Sequence, residues 1–152
     1  MNEDLQNKLY EKYSKIFRQK DLSAQETCMC WGITCGDGWF DLLDMLCGQI
    51  QNRVDNVNRN RSWSIESGPK TLIPTKTEVF ICEATQVKTK WGGLRFYTDG
   101  GDDYIDGLIS MAESMSYRVC ENCGAPGRLN KKGWLSSLCE KCREDHVSRD
   151  NK

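Results

Sequence analysis

Four cysteines late in the chain have the types and spacing of metal ligands. Cys120 and Cys123 form one C-x2-C pair, Cys139 and Cys142 form another, and fifteen residues separate the pairs. A C-x2-C pair lets two thiolates reach one ion from a single tight turn. Two such pairs complete a tetrahedral sulfur sphere, which zinc prefers. Two disulfides or four packed thiols are the alternative use of the same residues. A sphere of four thiolates leaves no open position for water or substrate, so the expected Zn2+ is structural and not catalytic. The single histidine, His146, lies four residues past Cys142. It could replace one thiolate, and otherwise reads as a solvated residue of the last helix.

Other residues offer weaker chemistry. Cys28, Cys30, Cys35 and Cys47 could hold a second metal, although C-x-C spacing suits a zinc knuckle less well than C-x2-C. Small buried thiols packing a helix against its loop fit them equally. In Gly36-Asp37-Gly38, backbone N–H groups at a helix start could bind an anion or simply be capped. The segment 86–97, QVKTKWGGLRFY, combines cations with aromatic rings. Lys88, Lys90 and Arg95 could neutralise phosphate, and Trp91, Phe96 or Tyr97 could stack on a base. A plain hairpin with a Trp-Gly-Gly turn explains the same residues. Asp99, Asp102, Asp103 and Asp106 do not follow the order of an EF-hand loop, and read as a turn with a charged helix start. Neither a base–nucleophile pair nor a histidine base is in evidence, so the chain reads as a non-enzyme.

The elements that must position these groups follow from periodicity. Residues 3–19 carry Leu5, Leu9, Tyr13, Ile16 and Phe17 at helical spacing. Ser23 and Glu26 form a capping-box pair. Residues 28–38 break the period as a Gly/Cys loop, and a helix over about 39–54 follows, with Trp39, Leu42, Leu43, Leu46, Ile50 and Val54 on its apolar face. Residues 55–77 are polar and hold two of the three prolines, so a long mobile loop is expected there. Residues 78–89 and 94–98 read as the strands of a hairpin around Lys90-Trp91-Gly92-Gly93, with Cys82 in the core. A helix to about Tyr117 should face Ile105, Leu108, Ala112 and Met115 inward. The fold class is therefore α+β: a helical N-terminal half with a small antiparallel sheet in a core domain, 1–117, and a four-cysteine zinc-ribbon or treble-clef module with a polar tail, 118–152. The module should dock on the helix before it.

Length and composition agree with one small domain plus a module: 152 residues, 38% hydrophobic, with five Trp. A net charge of −1 argues against a bulk polyanion binder. Bases cluster in 51–76 and 118–143, acids in 98–113. Met1-Asn2-Glu3-Asp4 is acidic with no apolar stretch behind it, and no run approaches membrane-spanning length. With nine cysteines, this leads us to expect a reducing cytoplasm and no membrane partner.

CMCWGITCGDGWFDLLDMLC, VKTKWGGLRFY, YIDGLISMAESMSYRVCENCGAPG and GWLSSLCEKC resemble, from about residue 3 to residue 145, a family of small zinc-ribbon or treble-clef proteins of bacteriophages and prophages. The resemblance carries over no catalytic residue. It implies an accessory protein acting in the bacterial host cytoplasm, where small phage proteins often counter host defence or redirect host machinery. Three uses stay open. One is sequestration of an anionic nucleotide-type ligand, such as a host immune signal, by Lys88, Lys90, Trp91, Arg95 and Tyr97, in a pocket shared within a homo-oligomer. A second is nucleic-acid binding through Arg118, Arg128, Lys131, Lys132, Lys141 and Arg143, with strong salt dependence. A third is inhibition of a host protein through an exposed apolar patch.

Overall fold

The computed structural model describes residues 1–67, 79–131 and 133–150, with side chains left out for 64–67 and 146–150. Helix α1 spans Glu3–Lys12 and begins at Asn2, whose side chain accepts from Leu5 N. It stops well before residue 19, and turns followed by a 3-10 segment at Arg18–Asp21 take its place. The backbone has another use there: the Ile16 carbonyl accepts from Ala84 N at 2.7 Å. Leu9, Tyr13, Ile16 and Phe17 are all buried nonetheless. Ser23 and Glu26 do pair, Oγ donating to the carboxylate at 2.8 Å, but they close a turn and not a helix.

The expected loop at 28–38 contains a short strand, β1 (Ile33–Thr34), between two 3-10 turns. Helix α2 then runs Phe40–Ser67, so residues 55–67 are helix where the polar composition pointed to loop. The cause is tertiary. Asn58 donates through Nδ2 to Phe80 O and accepts from Phe80 N, both at 2.8 Å, and Arg61 lies over the Phe80 ring. Pro69 and Pro74, which carried the loop expectation, fall outside the described residues together with the rest of 68–77.

Strands β2 (Cys82–Lys90) and β3 (Gly93–Gly100) form the antiparallel hairpin, with a bulge between Ala84 and Gln86. β1 joins it in parallel, Ile33 opposite Val87. Trp91 and Gly92 make the turn, both with positive φ, 55° and 72°. That is the pattern of a type I′ hairpin, and it is unusual for tryptophan. Helix α3 (Asp103–Ser116) is capped by Asp102, which accepts from Ile105 N at 3.1 Å and from Arg53 Nη2 at 2.7 Å. Ile105, Ala112 and Ser116 are buried, and Leu108 and Ile109 pack half-buried against the core; Met115, expected inside, is exposed, because the inward row runs 105–109–112–116. The architecture is α+β, with four helices, a three-stranded and a two-stranded sheet, and the cysteine cluster at the C-terminal end. The core joins α1, α2, α3 and one face of the hairpin around Trp39, Phe17, Leu43, Ile50 and Leu94. Among the described residues no helix is long and apolar enough to cross a membrane.

Candidate metal centre and the adjoining cleft

The C-terminal segment folds as a knuckle, a hairpin and a helix. Cys120 and Cys123 sit on the knuckle, closed by Gly124 N donating to Cys120 O at 2.9 Å, with Gly124 at φ 76°. Strands β4 (Arg128–Asn130) and β5 (Ser136–Leu138) form the hairpin. Cys139 immediately precedes α4 (Glu140–Asp150) and Cys142 lies in its first turn. The four sulfurs lie within 4.8 Å of one another, and no other such group of Cys, His, Asp or Glu occurs among the described residues. Cys123 and Cys139 Sγ are 3.7 Å apart. A tetrahedron with metal–sulfur bonds near 2.3 Å has edges of about 3.8 Å. The donor set thus fits a metal ion.

Local electrostatics favours thiolates at the knuckle. Burial alone would push the Cys120 thiol up; N–H groups of Cys139, Cys123 and Asn122 outweigh it and bring it down to about 7. Burial and the three neighbouring sulfurs push Cys142 up, so releasing all four protons needs a cation at the centre. His146 lies on α4, and its side chain is outside the described residues.

The second cysteine set is not gathered. Cys28 is exposed, Cys30 donates to Thr27 O at 3.2 Å, and Cys35 and Cys47 are buried apart from any ligand group. Burial pushes Cys35 up to about 12, Cys82 up to about 11, and Cys47 higher than its ordinary value as well. Alkylation of the folded protein near neutral pH should therefore modify Cys28 and spare Cys35, Cys47 and Cys82. Peptide mapping by mass spectrometry checks this, and fast labelling of the three buried thiols would contradict the packing.

The module is bolted to the core at glycines, and its hydrogen bonds run to the start of α2 and to the hairpin turn, where docking on α3 was expected. Gly38 N donates to Glu121 O at 2.8 Å, Trp39 Nε1 to Val119 O at 3.0 Å, and Ser137 Oγ to Gly92 O at 2.6 Å. Of the N–H groups at Gly36 and Gly38, only that of Gly36 meets an anion, and the anion is internal: the Glu121 carboxylate accepts from Gly36 N at 3.0 Å and from Thr89 Oγ1, while Gly38 N meets the neutral Glu121 carbonyl. The Asp37 carboxylate is taken up by Asn2, accepting from its N at 2.6 Å and its Nδ2 at 2.8 Å.

Between hairpin and module lies a cleft of about 750 Å³. Thr34, Cys35, Thr89, Lys90, Trp91 and Gly92 form one wall; Glu121, Gly133, Trp134 and Leu135 form the other. Trp91 is 67% exposed and Trp134 89%. Lys90 has no ion pair or hydrogen-bond partner among the described residues. Of the residues singled out for ligand binding, Lys90 and Trp91 therefore meet at the cleft. Lys88, Arg95 and Tyr97 do not line it. Arg95 donates to Leu94 O at 2.6 Å and to Tyr117 OH at 3.2 Å, and faces Glu113 at 3.6 Å. Lys88 Nζ lies 5.7 Å from the centre of the Tyr97 ring. Phe96 is buried in the core and cannot stack on a ligand. Trp134, Thr34, Thr89 and Glu121 were not legible as site residues. Trp134 left one signal, an aromatic residue beside the glycine of a short turn.

No family model, no curated protein and no solved structure matches the chain.

Proposed function

We propose that the protein is a non-enzymatic binding protein in which a structural zinc ion, held by Cys120, Cys123, Cys139 and Cys142, fixes one wall of a cleft that captures an anionic nucleotide-type ligand. Zinc is the natural occupant of four thiolates at tetrahedral spacing. The observation that carries the ligand reading is Trp91. A tryptophan at φ 55° occupies a position that asparagine or glycine fills at lower cost, about 1 kcal/mol or more of strain. Its side chain is not repaid by burial, since it is mostly exposed, and it shares the cleft with Trp134 and an unpartnered lysine. Two indoles and one cation suit a nucleobase and a phosphate. The cleft also falls in the size range of small-molecule sites. The resemblance to phage and prophage proteins supplies the setting: an accessory protein in the bacterial host cytoplasm that withholds a nucleotide-derived defence signal.

Native mass spectrometry of the protein purified from bacteria, compared with denaturing conditions, tests both parts. One zinc ion plus a co-purified anion of a few hundred daltons is expected. Tryptophan quenching by mononucleotides, cyclic nucleotides and dinucleotides gives the second readout. Trp91→Asn should abolish quenching by the ligand while leaving the fold as stable as before or more so. A protein that carries no anion and whose fluorescence responds to none of these nucleotides would sink the reading.

A nucleic-acid-binding reading has its own support: Arg118, Arg128, Lys131 and Lys141 have no ion pair among the described residues. Arg143 lies 3.6 Å from Glu140, and Lys132 is outside the described residues. Binding to single strands that weakens steeply with salt would favour it over the nucleotide cleft.

A further inference from the structure

Helix α3 carries one apolar row seated in the core and a second beside it that touches the core only through Leu108. Ile105, Ala112 and Ser116 are buried and Ile109 packs against them. The second row is Tyr104, Leu108, Met111 and Met115. Leu108 is half-buried, while Tyr104, Met111 and Met115 are 54%, 57% and 44% exposed. A helix resting on one core needs only one apolar stripe, with polar residues opposite. Within the helix, positions 104, 108, 111 and 115 instead recur at steps of four, three and four, the spacing of a coiled-coil seam, and Arg118 follows in the turn just past the helix end.

The flanks and ends of this row are also informative. On its solvent side stand Gly107 and Ser114, both small, and nothing lies within 4 Å of the point a Gly107 Cβ would occupy. Another backbone can therefore approach closely. Asp103 and Asp106 are exposed at the start of the helix, and no Lys or Arg occurs in 98–117. Arg118, at the other end, is exposed and has no side-chain partner among the described residues. The row is acidic at one end, basic at the other, and apolar between.

We infer that α3 is the interface of a homodimer in which the α3 helices of two copies pack antiparallel about a two-fold axis. A two-fold interface must be complementary to itself, and this row is so in one orientation only. Antiparallel pairing sets Tyr104 against Met115 of the second copy and Leu108 against its Met111, each contact made twice. It also brings Arg118 of each copy to the Asp103 end of the other. Parallel pairing would instead stack Asp103 on Asp103 and Arg118 on Arg118, like on like. A thioether beside an aromatic ring is a favourable contact. The Arg53 guanidinium, 5.3 Å from the centre of the Tyr104 ring, holds that ring in place before docking and so lowers the entropy lost on association. A net charge of −1 offers little self-repulsion against two copies meeting.

Analytical ultracentrifugation of the full chain over a concentration series decides. The wild type should sediment as a monomer–dimer equilibrium shifting to dimer with concentration. Met111→Lys should be monomeric, with unchanged circular dichroism and metal content because the side chain is on the surface. Arg118→Glu should weaken the dimer by about tenfold or more. Combining it with Asp103→Lys should restore the dimer, since the reversed charges meet again across the two-fold axis. A wild type that stays monomeric throughout, or a Met111→Lys chain that dimerises like wild type, overturns the proposal. If Met111→Lys is monomeric but the double reversal fails to restore pairing, the antiparallel arrangement is overturned.

Discussion

Cys120→Ser should leave the protein without its metal and unfold the segment from about residue 118 onward, while α1, α2, the hairpin and α3 persist. The expected size of the effect follows from how little else holds that segment. Among the described residues its buried side chains are Cys120, Ser137 and Leu138, and neither Cys120 nor Leu138 belongs to the main core cluster. A unit this small has no hydrophobic core of its own to offset chain entropy. In comparable small modules a structural zinc ion supplies about 10–16 kcal/mol of apparent binding free energy, which is also folding free energy. Cys120 is the ligand whose loss should hurt most. It is fully buried, and its sulfur is the one that backbone N–H groups hold nearest the thiolate state. Among the described residues the main core gathers twenty buried residues from Leu9 to Ala112, and Val119, at the very start of the module, is packed against it. Metal content by native mass spectrometry, together with amide exchange resolved along the chain, measures both halves of the expectation. Retained metal with an unchanged melting temperature would refute it. Because Glu121, Gly133, Trp134 and Leu135 form one wall of the cleft, the same variant should also lose the ligand. Chelation of the wild type should reproduce both effects, and faster at acid pH, where protons compete for the thiolates.

The parts of this structure that could be read in advance are those fixed by short stretches of chain. The two C-x2-C pairs place their own sulfurs, Gly92 declares the hairpin turn, and Asp102 declares the start of α3 three residues before the N–H it caps. The misread parts depend on partners distant in sequence. α1 ends early because Ala84 takes the Ile16 carbonyl. α2 runs past Val54 because Asn58 clasps the backbone of Phe80, and a polar surface turn of helix has no apolar stripe to reveal it. β1 is two residues long and exists only by pairing with Val87 and Lys88. The same division runs through the site. Trp91 and Lys90 could be picked out by residue type. Arg95 could not be removed from the list without seeing Tyr117 and Glu113 beside it, and Trp134 could not be added without seeing where the second hairpin docks.

Replacing Gly38 by alanine should be among the most damaging single-methyl changes available to this chain. A Cβ at that position would lie 2.2 Å from Cys120 O, 2.4 Å from Gly124 N and 2.6 Å from Cys123 N. All three are backbone atoms of the metal knuckle, so no side chain can swing aside; the knuckle itself must move. That movement breaks the bond from Gly38 N to Glu121 O and strains the one from Trp39 Nε1 to Val119 O, which together register the module on the core. Overpacking against rigid neighbours costs about 3 kcal/mol or more here, at the upper end for such changes. Gly107→Ala supplies the opposite sign. It lies within α3, with nothing inside 4 Å of the new methyl group, and should stabilise the helix by about 0.5–1 kcal/mol. Urea denaturation of the two variants beside wild type, at one low protein concentration, tests the pair. Because Gly38 touches the knuckle and not the sulfurs, its variant should still bind zinc, but more weakly, and with its cleft no longer able to quench Trp91 and Trp134 on ligand addition. Equal stability of Gly38→Ala and wild type would mean that the module is not seated on α2 by backbone contact, and the link between metal and cleft would fall with it.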